Sequence, residues 1–359
     1  MKRRIGVLTS GGDCPGLNAV LRGVVRAATN LDWEVIGFHD GFEGLLPPAA
    51  WEVLDFRRTA GIMHLGGTIL GTTSKGNFIA KVGDGTTRTH VPPDVLAKAR
   101  ATLDELRIEG LIVIGGDGSL TTGLQLQEAG IPIIGVPKTI DNDLEATAMT
   151  FGFDSAVACV AEALDRLHTT ATSHKRVMVI EVMGRHAGWI ALYGGLAGGG
   201  DVILLPEIPF EHKKVAEAVQ ERDIAGCLST LVVVAEGARE KDGHERVRYT
   251  TSGENKLGGI GDAVAAEVAR RTGKETRTCV LGHLQRGGAP TTLDRILGTR
   301  FGVAAVELIA EGKFGHMVSY QNYQILSVPI ADAVHRIKLV SPDCQMVQTC
   351  RAVGISFGD

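Results

Sequence analysis

Residues 93–139 read PDVLAKARATLDELRIEGLIVIGGDGSLTTGLQLQEAGIPIIGVPKT, and the alternation inside this stretch decides the fold. PDVLAKARATLDELRIEG has the apolar spacing of an amphipathic helix. LIVIGG is a short apolar run closed by glycines, TTGLQLQEAG returns to helix, and PIIGVPKT returns to strand. Short runs that are apolar on both faces need cover on both sides, the condition of a parallel sheet built from βαβ units.

The same rhythm extends in both directions. RIGVLTS reads as a strand, NAVLRGVVRAATN as a helix and EVIGFHDG as a second strand. After residue 150 come helix VACVAEALDRLHTT, strand RVMVIEV, helix HAGWIALYGGLAGG and strand VILLPE. A helix near KKVAEAVQERDI leads to strand STLVVVAEG, and GENKLGGIGDAVAAEV is a glycine-rich turn entering a helix. The pattern predicts two α/β lobes with a boundary near residue 152. From about Ser327 the tail is less periodic.

Composition narrows the function. The 359 residues are 44% hydrophobic and 22% charged, ordinary for a soluble globular protein. A formal net charge of −4 gives no global attraction to nucleic acid or anionic membrane, so an anionic ligand needs a local basic cluster. The 47 glycines exceed the usual share and gather after apolar runs, which points to backbone sites rather than linkers. The start MKRRIGVLTSGGD reaches its glycines too soon for a secretory signal, and no apolar run approaches a membrane span. Cys14, Cys159, Cys227, Cys279, Cys344 and Cys350 lack CxxC spacing and read as reduced thiols. A soluble cytoplasmic protein is expected.

A strand followed by GGD occurs twice, at Gly11-Gly12-Asp13 and Gly115-Gly116-Asp117. In a doubly wound sheet both turns fall at carboxyl ends of strands, where glycines let backbone amides approach a phosphate. Neither GxxxxGK[ST] nor GxGxxG is present, and a tight βα turn without ligand fits the first of them equally well. Asp117, between glycines at the end of a buried strand, is expensive there unless it meets a cation, and magnesium suits it. Ser119 and the amides after it can meet phosphate, while Asp117 as a plain N-cap is the alternative.

VPKTIDNDLE, residues 136–145, sets a cation and a hydroxyl beside paired carboxylates. If the loop is extended, Asp141 and Asp143 share one face and Asn142 takes the other. A carboxylate near a substrate hydroxyl can take its proton as the oxygen attacks phosphorus, with Lys138 and Thr139 touching the phosphate in transfer. A solvated acidic loop would carry the same residues. MGRHAGW places Gly184 and Arg185 at a strand-to-helix turn, HKRV puts Arg176 before its strand, and TRTCVLGHLQRGG gathers Arg277, His283 and Arg286. Guanidinium forks match phosphate oxygens, although any single arginine reads equally as a surface ion pair.

Taken in order, GVLTSGGDCPGLNAVLRGVVR, GGTILGT, IGGDGS, PKTIDND, SHKRVMVIEVMGRHAGW, LLPE, VVVAEGA and TRTCVLGHLQRGG closely resemble the phosphofructokinase family, from residue 5 to about 300. The resemblance implies two Rossmann-like α/β lobes with the active site in the cleft between them. Residues 1–152 with about 285–335 would form the large lobe, binding ATP and Mg2+, and 153–284 with about 336–359 the small, sugar-phosphate lobe. It implies that Gly11, Gly12, Gly116, Gly118 and Ser119 bind nucleotide phosphates and that Asp117 carries Mg2+. Asp141 would be the base for the sugar's 1-hydroxyl, with Thr139, Asp143 and Lys138 supporting the phosphoryl group and Arg185 stabilising its transfer. Met183, Gly184, Glu236, His283 and Arg286 would hold fructose 6-phosphate. Arg176 and Arg277 resemble arginines that reach a neighbouring subunit's site, implying a homotetramer, with a dimer as the alternative.

The implied reaction transfers the γ-phosphoryl of MgATP to the 1-hydroxyl of fructose 6-phosphate, giving fructose 1,6-bisphosphate in glycolysis. Pyrophosphate-using members typically carry a second aspartate after GGD; here Gly118 leaves room and brings no repelling charge, which favours ATP. Lys138 stands where many ATP enzymes have glycine and pyrophosphate enzymes have lysine, so pyrophosphate is the alternative donor. Ser74 replaces an arginine that contacts ATP phosphates in familiar members, and Lys75 is expected to substitute for it. Of the family's effector site Arg22 and Arg26 remain, but His168 replaces an arginine and GCLST lacks lysines, so activation by ADP or inhibition by phosphoenolpyruvate is not expected. Lipid and NAD kinases share GGDG without PKTIDND and MGR, and a non-catalytic subunit would have lost Asp117, Asp141 or Arg185. Sedoheptulose 7-phosphate is the alternative acceptor.

Overall fold

The computed structural model describes residues 2–78, 90–251 and 254–359. Gly253 of the expected GENKLGG turn lies outside the described residues, and Glu254–Leu257 of that stretch is a strand rather than a turn. In chain order the first half comprises β1 (Arg4–Thr9), α1 (Leu17–Asn30), β2 (Glu34–Phe38), β3 (Trp51–Leu54), α2 (Pro93–Glu105), β4 (Ile108–Gly115), α3 (Asp117–Glu128) and β5 (Ile133–Pro137). There follow α4 (Phe153–His174), β6 (Val177–Val182), α5 (Trp189–Ala197), β7 (Val202–Leu204), α6 (His212–Ile224), β8 (Thr230–Ala235), β9 (Val247–Thr251) and β10 (Glu254–Leu257). The chain ends with α7 (Ile260–Thr272), β11 (Thr276–Val280), α8 (Thr292–Ala310), β12 (His316–Gln321), β13 (Gln324–Pro329), α9 (Ile330–Val334) and α10 (Gln345–Ala352).

Two compact units divide the chain: Met1–Thr139, Leu144–Asp154 and Arg286–Ile337 form the first, and Ile140–Asp143, Ser155–Gln285 and Lys338–Asp359 the second. The first holds a seven-stranded sheet in the order β13-β12-β5-β4-β1-β2-β3. Its central strands run parallel, and the antiparallel partners β3 and β13 lie at the two edges. β4 and β5 are apolar on both faces because helices cover both, and Leu8, Ile36, Phe38, Leu111, Val113 and Leu120 are buried in its core. Burying one such side chain contributes about 1.5–3 kcal/mol. α1 packs on α8 at backbone distance, since a Cβ on Gly302 would lie 2.4 Å from the Val20 carbonyl oxygen.

The second unit holds a four-stranded parallel sheet in the order β11-β6-β8-β7, with Val179, Ile180, Val232 and Val233 fully buried. The weakly periodic tail supplies part of its packing, with Val347, Cys350 and Phe357 at 0% exposure.

Several element boundaries differ from the sequence expectation. β4 begins at Ile108 rather than Leu111, because Arg107 turns the chain with φ 56° and Ile108 then pairs with Arg4. α3 begins at Asp117, ahead of Thr121, so Asp117 opens a helix instead of ending a strand. α5 begins at Trp189, because Arg185 at φ 51° holds the preceding residues in a turn. No helix among the described residues is long and apolar enough to cross a membrane.

Candidate active site

In the first unit, β1 and β4 are neighbours with Thr9 opposite Ile114, so both GGD turns leave the same edge of the sheet. Ser10 N–H donates to the Ile114 carbonyl at 2.9 Å, joining the two turns at their base. Gly11 has φ 82°, and a Cβ placed on it would lie 3.2 Å from Ser119 Oγ and 3.6 Å from Lys138 Nζ. A Cβ on Gly12 would lie 2.8 Å from Arg286 Nη1, and one on Gly116 would lie 3.2 Å from the Lys138 carbonyl oxygen and 3.8 Å from Thr139 Cβ. Gly11, Gly12, Gly116, Ser119, Lys138, Thr139 and Arg286 therefore converge.

Lys138 is 4% exposed, and its Nζ donates to the Gly12 carbonyl oxygen. A buried ammonium demands acceptors, and this one spends part of its charge on the turn itself. Its backbone N–H donates to the Gly115 carbonyl at 2.9 Å, and Thr150 Oγ1 donates to the Thr139 carbonyl at 2.7 Å. Arg286, which the resemblance placed with the sugar phosphate, donates from Nη1 to the Asp13 carbonyl at 3.1 Å. Thr72 Oγ1 donates to the Gly11 carbonyl at 2.7 Å and Gly11 N–H to the Thr73 carbonyl at 3.0 Å, so the exposed Ser74 and Lys75 are tethered to the first turn. Gly118 is exposed and Asp117 half-buried in the first turn of α3, where amide hydrogens point outward. Burial pushes the Cys14 thiol up to about 12, with Lys138 opposing, so this cysteine stays a neutral packing group.

In the second unit, Met183, Gly184 and Arg185 follow β6, Glu236 follows β8, and the exposed His283 follows β11, all at the carboxyl ends of adjacent strands. Gly184 has φ 142°, and a Cβ there would lie 2.5 Å from the Ala187 carbonyl oxygen, so no side chain fits the turn. Arg185 N–H donates to Glu236 Oε1 at 3.0 Å, fixing the turn in a residue that is exposed overall. Burial raises the Glu236 pKa; the amides of Arg185 and Gly184 oppose it, and the Glu181 charge adds to it.

Asp141 and Asp143 belong to this unit too. The extended geometry expected for them is not found: Asn142 has φ 52°, in the left-handed region that asparagine tolerates better than most residues. Asp141 is 4% exposed. The buried Asp143 Oδ1 has no hydrogen-bond partner among the described residues. Arg176 and Arg277 lie elsewhere, before β6 and at the start of β11, the amino edge of the same sheet. Both pair with Glu275, at 3.1 and 2.6 Å. A six-residue strand spans about 20 Å, so these arginines stand apart from Arg185 and His283.

Sequence reasoning missed Thr72, Thr73, Thr150 and Lys338. The threonines carry no signal because they act through backbone carbonyls of residues far along the chain.

A family model described as Phosphofructokinase matches residues 4–309. The ATP-dependent 6-phosphofructokinase of Chloroflexus aggregans is 52% identical over 358 residues, covering 100% of this chain and 98% of that one. The pyrophosphate–fructose 6-phosphate 1-phosphotransferase of Amycolatopsis methanolica is 48% identical over 344 residues, covering 95% of this chain and 97% of that one. The fold is similar to that of Pichia pastoris phosphofructokinase in the T-state, with a TM-score of 0.82 and 29% identity over 100% of this chain, which spans 37% of that longer chain.

Proposed function

This chain belongs to the phosphofructokinase family, and on that premise we propose that it is an ATP-dependent 6-phosphofructokinase. The observation that carries this reading is the convergence of both GGD turns, the start of α3 and the buried Lys138 at one sheet edge, an arrangement suited to a chain of phosphates. The relatives favour ATP: ATP-dependent 6-phosphofructokinases reach 52% identity over the whole chain, and a pyrophosphate-using relative reaches 48%. Gly118 decides for ATP, because an exposed glycine at the start of α3 leaves room and adds no repulsion.

Gly11, Gly12, Gly118 and Ser119 amides bind the nucleotide phosphates, with Ser74 and Lys75 alongside. Asp141 accepts the proton of the sugar's 1-hydroxyl while that oxygen bonds to the γ-phosphorus. The bond from the γ-phosphorus to the bridging oxygen breaks, and ADP leaves with the electron pair. Arg185 faces the charge that develops on the transferred group, and Thr139 and Lys138 steady it. Met183, Gly184, Glu236, His283 and Arg286 hold the sugar phosphate.

Asp117 suits Mg2+ as a half-buried carboxylate beside phosphate-binding amides, and Asp143 Oδ1, without a hydrogen-bond partner among the described residues, suits a ligand-borne positive or donor group. Among the described residues no three His, Cys, Asp or Glu side chains cluster to hold a metal by themselves, so the ion would take phosphate oxygens and water as well. When bound with the nucleotide, it supplies positive charge to the phosphate oxygens.

The placement of Arg176 and Arg277 at the far edge of their sheet supports service to a second copy's site, and hence a homotetramer or dimer. Analytical ultracentrifugation tests this, and a monomer at assay concentration would contradict it.

The test of function is fructose 1,6-bisphosphate formation from fructose 6-phosphate and Mg2+, with ATP and pyrophosphate offered separately. Turnover with ATP alone is expected. Turnover with pyrophosphate alone would show that Lys138 rather than Gly118 sets the donor, and activity with neither would turn attention to sedoheptulose 7-phosphate.

A further inference from the structure

Asn142 sits between the two carboxylates of the loop in a left-handed backbone conformation, φ 52°. Such a conformation persists in a residue other than glycine only when its surroundings hold it. One short piece of the C-terminal tail contributes several of those holds. Lys338 N–H donates to the Asp143 carbonyl at 2.9 Å, and Lys338 Nζ donates to Asn142 Oδ1 at 3.1 Å. Immediately before it, Ile337 bridges Leu144 in antiparallel fashion.

The same piece grips the start of α5. The Lys338 carbonyl accepts from Trp189 Nε1 at 2.8 Å, and its ammonium lies 5.7 Å from the Trp189 ring centroid. Val340 N–H donates to Glu207 Oε1 at 2.9 Å, and both Glu207 oxygens accept from Gly188 N–H, at 3.0 and 3.2 Å. Gly188 caps the helix that follows the Arg185 turn. Two residues of tail backbone and one lysine side chain thus tie the loop bearing Asp141 to the helix start behind Arg185, all within the second unit.

We propose that Lys338 is a positioning residue, the centre of a tail clasp that holds the Asp141–Asp143 loop in its working conformation against the Arg185 turn. This rests on reading Asp141 as the base. Proton transfer and in-line attack tolerate little displacement, so loosening the loop by a fraction of an ångström lowers turnover while substrates still bind.

The test compares Lys338→Met, Lys338→Arg and Asp141→Asn in the full chain. Lys338→Met keeps the aliphatic stem and every backbone bond and removes only the ammonium. Its kcat is expected to fall about tenfold, with the fructose 6-phosphate KM changing less than about twofold. Lys338→Arg is expected to restore most of the turnover. Amide hydrogen exchange over residues 140–145 should accelerate in Lys338→Met while the β4–β5 region of the first unit is unchanged. A passive packing role would not produce that kcat-only loss with rescue. Wild-type turnover in Lys338→Met beside an inactive Asp141→Asn overturns the clasp, as does unchanged exchange over the loop. Full turnover in Asp141→Asn overturns the parent reading of the base instead. Should Lys338→Met not fold, Trp189→Phe, which removes the bond to the Lys338 carbonyl, is expected to show a milder loss of the same kind, and wild-type behaviour there overturns the proposal.

Discussion

The two units' sheets present carboxyl edges of opposite construction. At the edge of the first unit the groups on offer are mostly backbone: Gly11 at φ 82°, Gly12, Gly116 and the amides opening α3, with Lys138 buried among them. At the edge of the second they are side chains: Arg185, Glu236, His283 and the loop carboxylates. Positive φ follows the same division. The first edge assigns it to Gly11, whereas the second, besides Gly184 at 142°, also forces it on the non-glycine residues Arg185 and Asn142, at 51° and 52°. Strain of that kind costs about 1 kcal/mol or more per residue and needs local holds. Arg185 has the Glu236 bond and Asn142 has Lys338. A run of identical anionic groups can be bound by repeated amides and a helix start, whereas sugar hydroxyls and a reacting oxygen need distinct side chains at set positions.

Substitutions sharpen this contrast, and the largest effect belongs to the loop. Asp141→Asn is expected to lower kcat about a thousandfold, since it removes the proton acceptor, while fructose 6-phosphate binding by calorimetry stays within about threefold. Near wild-type turnover would remove Asp141 from the chemistry. Gly118→Asp is expected to raise the ATP KM about tenfold by setting a carboxylate against the phosphates. The same change should stabilise the start of α3 by about 0.3–1 kcal/mol, because an acid at a helix N-terminus is favourable. A thermal melt that rises as ATP affinity falls would separate the two effects; unchanged ATP affinity would take the phosphates away from this turn.

The smallest effect concerns Glu236. Burial holds its pKa above the ordinary 4.5, so the native protein binds this proton more tightly than the unfolded chain does. The stability that goes with the protonated form is present below the unfolded value and is lost as pH rises through the folded one. Glu236→Gln keeps an acceptor for Arg185 N–H without the charge. It should melt higher than wild type at neutral pH, with the gap closing as pH falls toward about 4.5. A gap independent of pH would show that Glu236 is not held above its ordinary range.

The first edge was the more legible in sequence because its function lies in contiguous turns. LIVIGG and PIIGVPKT announce buried strands, and GGD after such a strand announces an open backbone. Even there, the helix running into β4 ended early, since the left-handed Arg107 has no local signature. The second edge is assembled from residues near 141, 185, 236 and 283, which only family motifs brought together. Asn142 carried a hint of its backbone, asparagine being tolerant of positive φ, yet alternation was the simpler reading. Lys338 carried none: its partners at 142, 143 and 189 are brought to it by the fold alone, and the tail around it has no period to read.

The proposed division of labour gives the donor to the first unit's backbone edge and the acceptor, apart from Arg286, to the second unit's side-chain edge. Steady-state KM values for ATP and fructose 6-phosphate in Gly118→Asp and Glu236→Gln, measured side by side, test it most directly. A crossed pattern is expected, with the ATP KM rising in the first variant and the fructose 6-phosphate KM in the second, each leaving the other substrate near wild type. Parallel rises in both constants in either variant would contradict it.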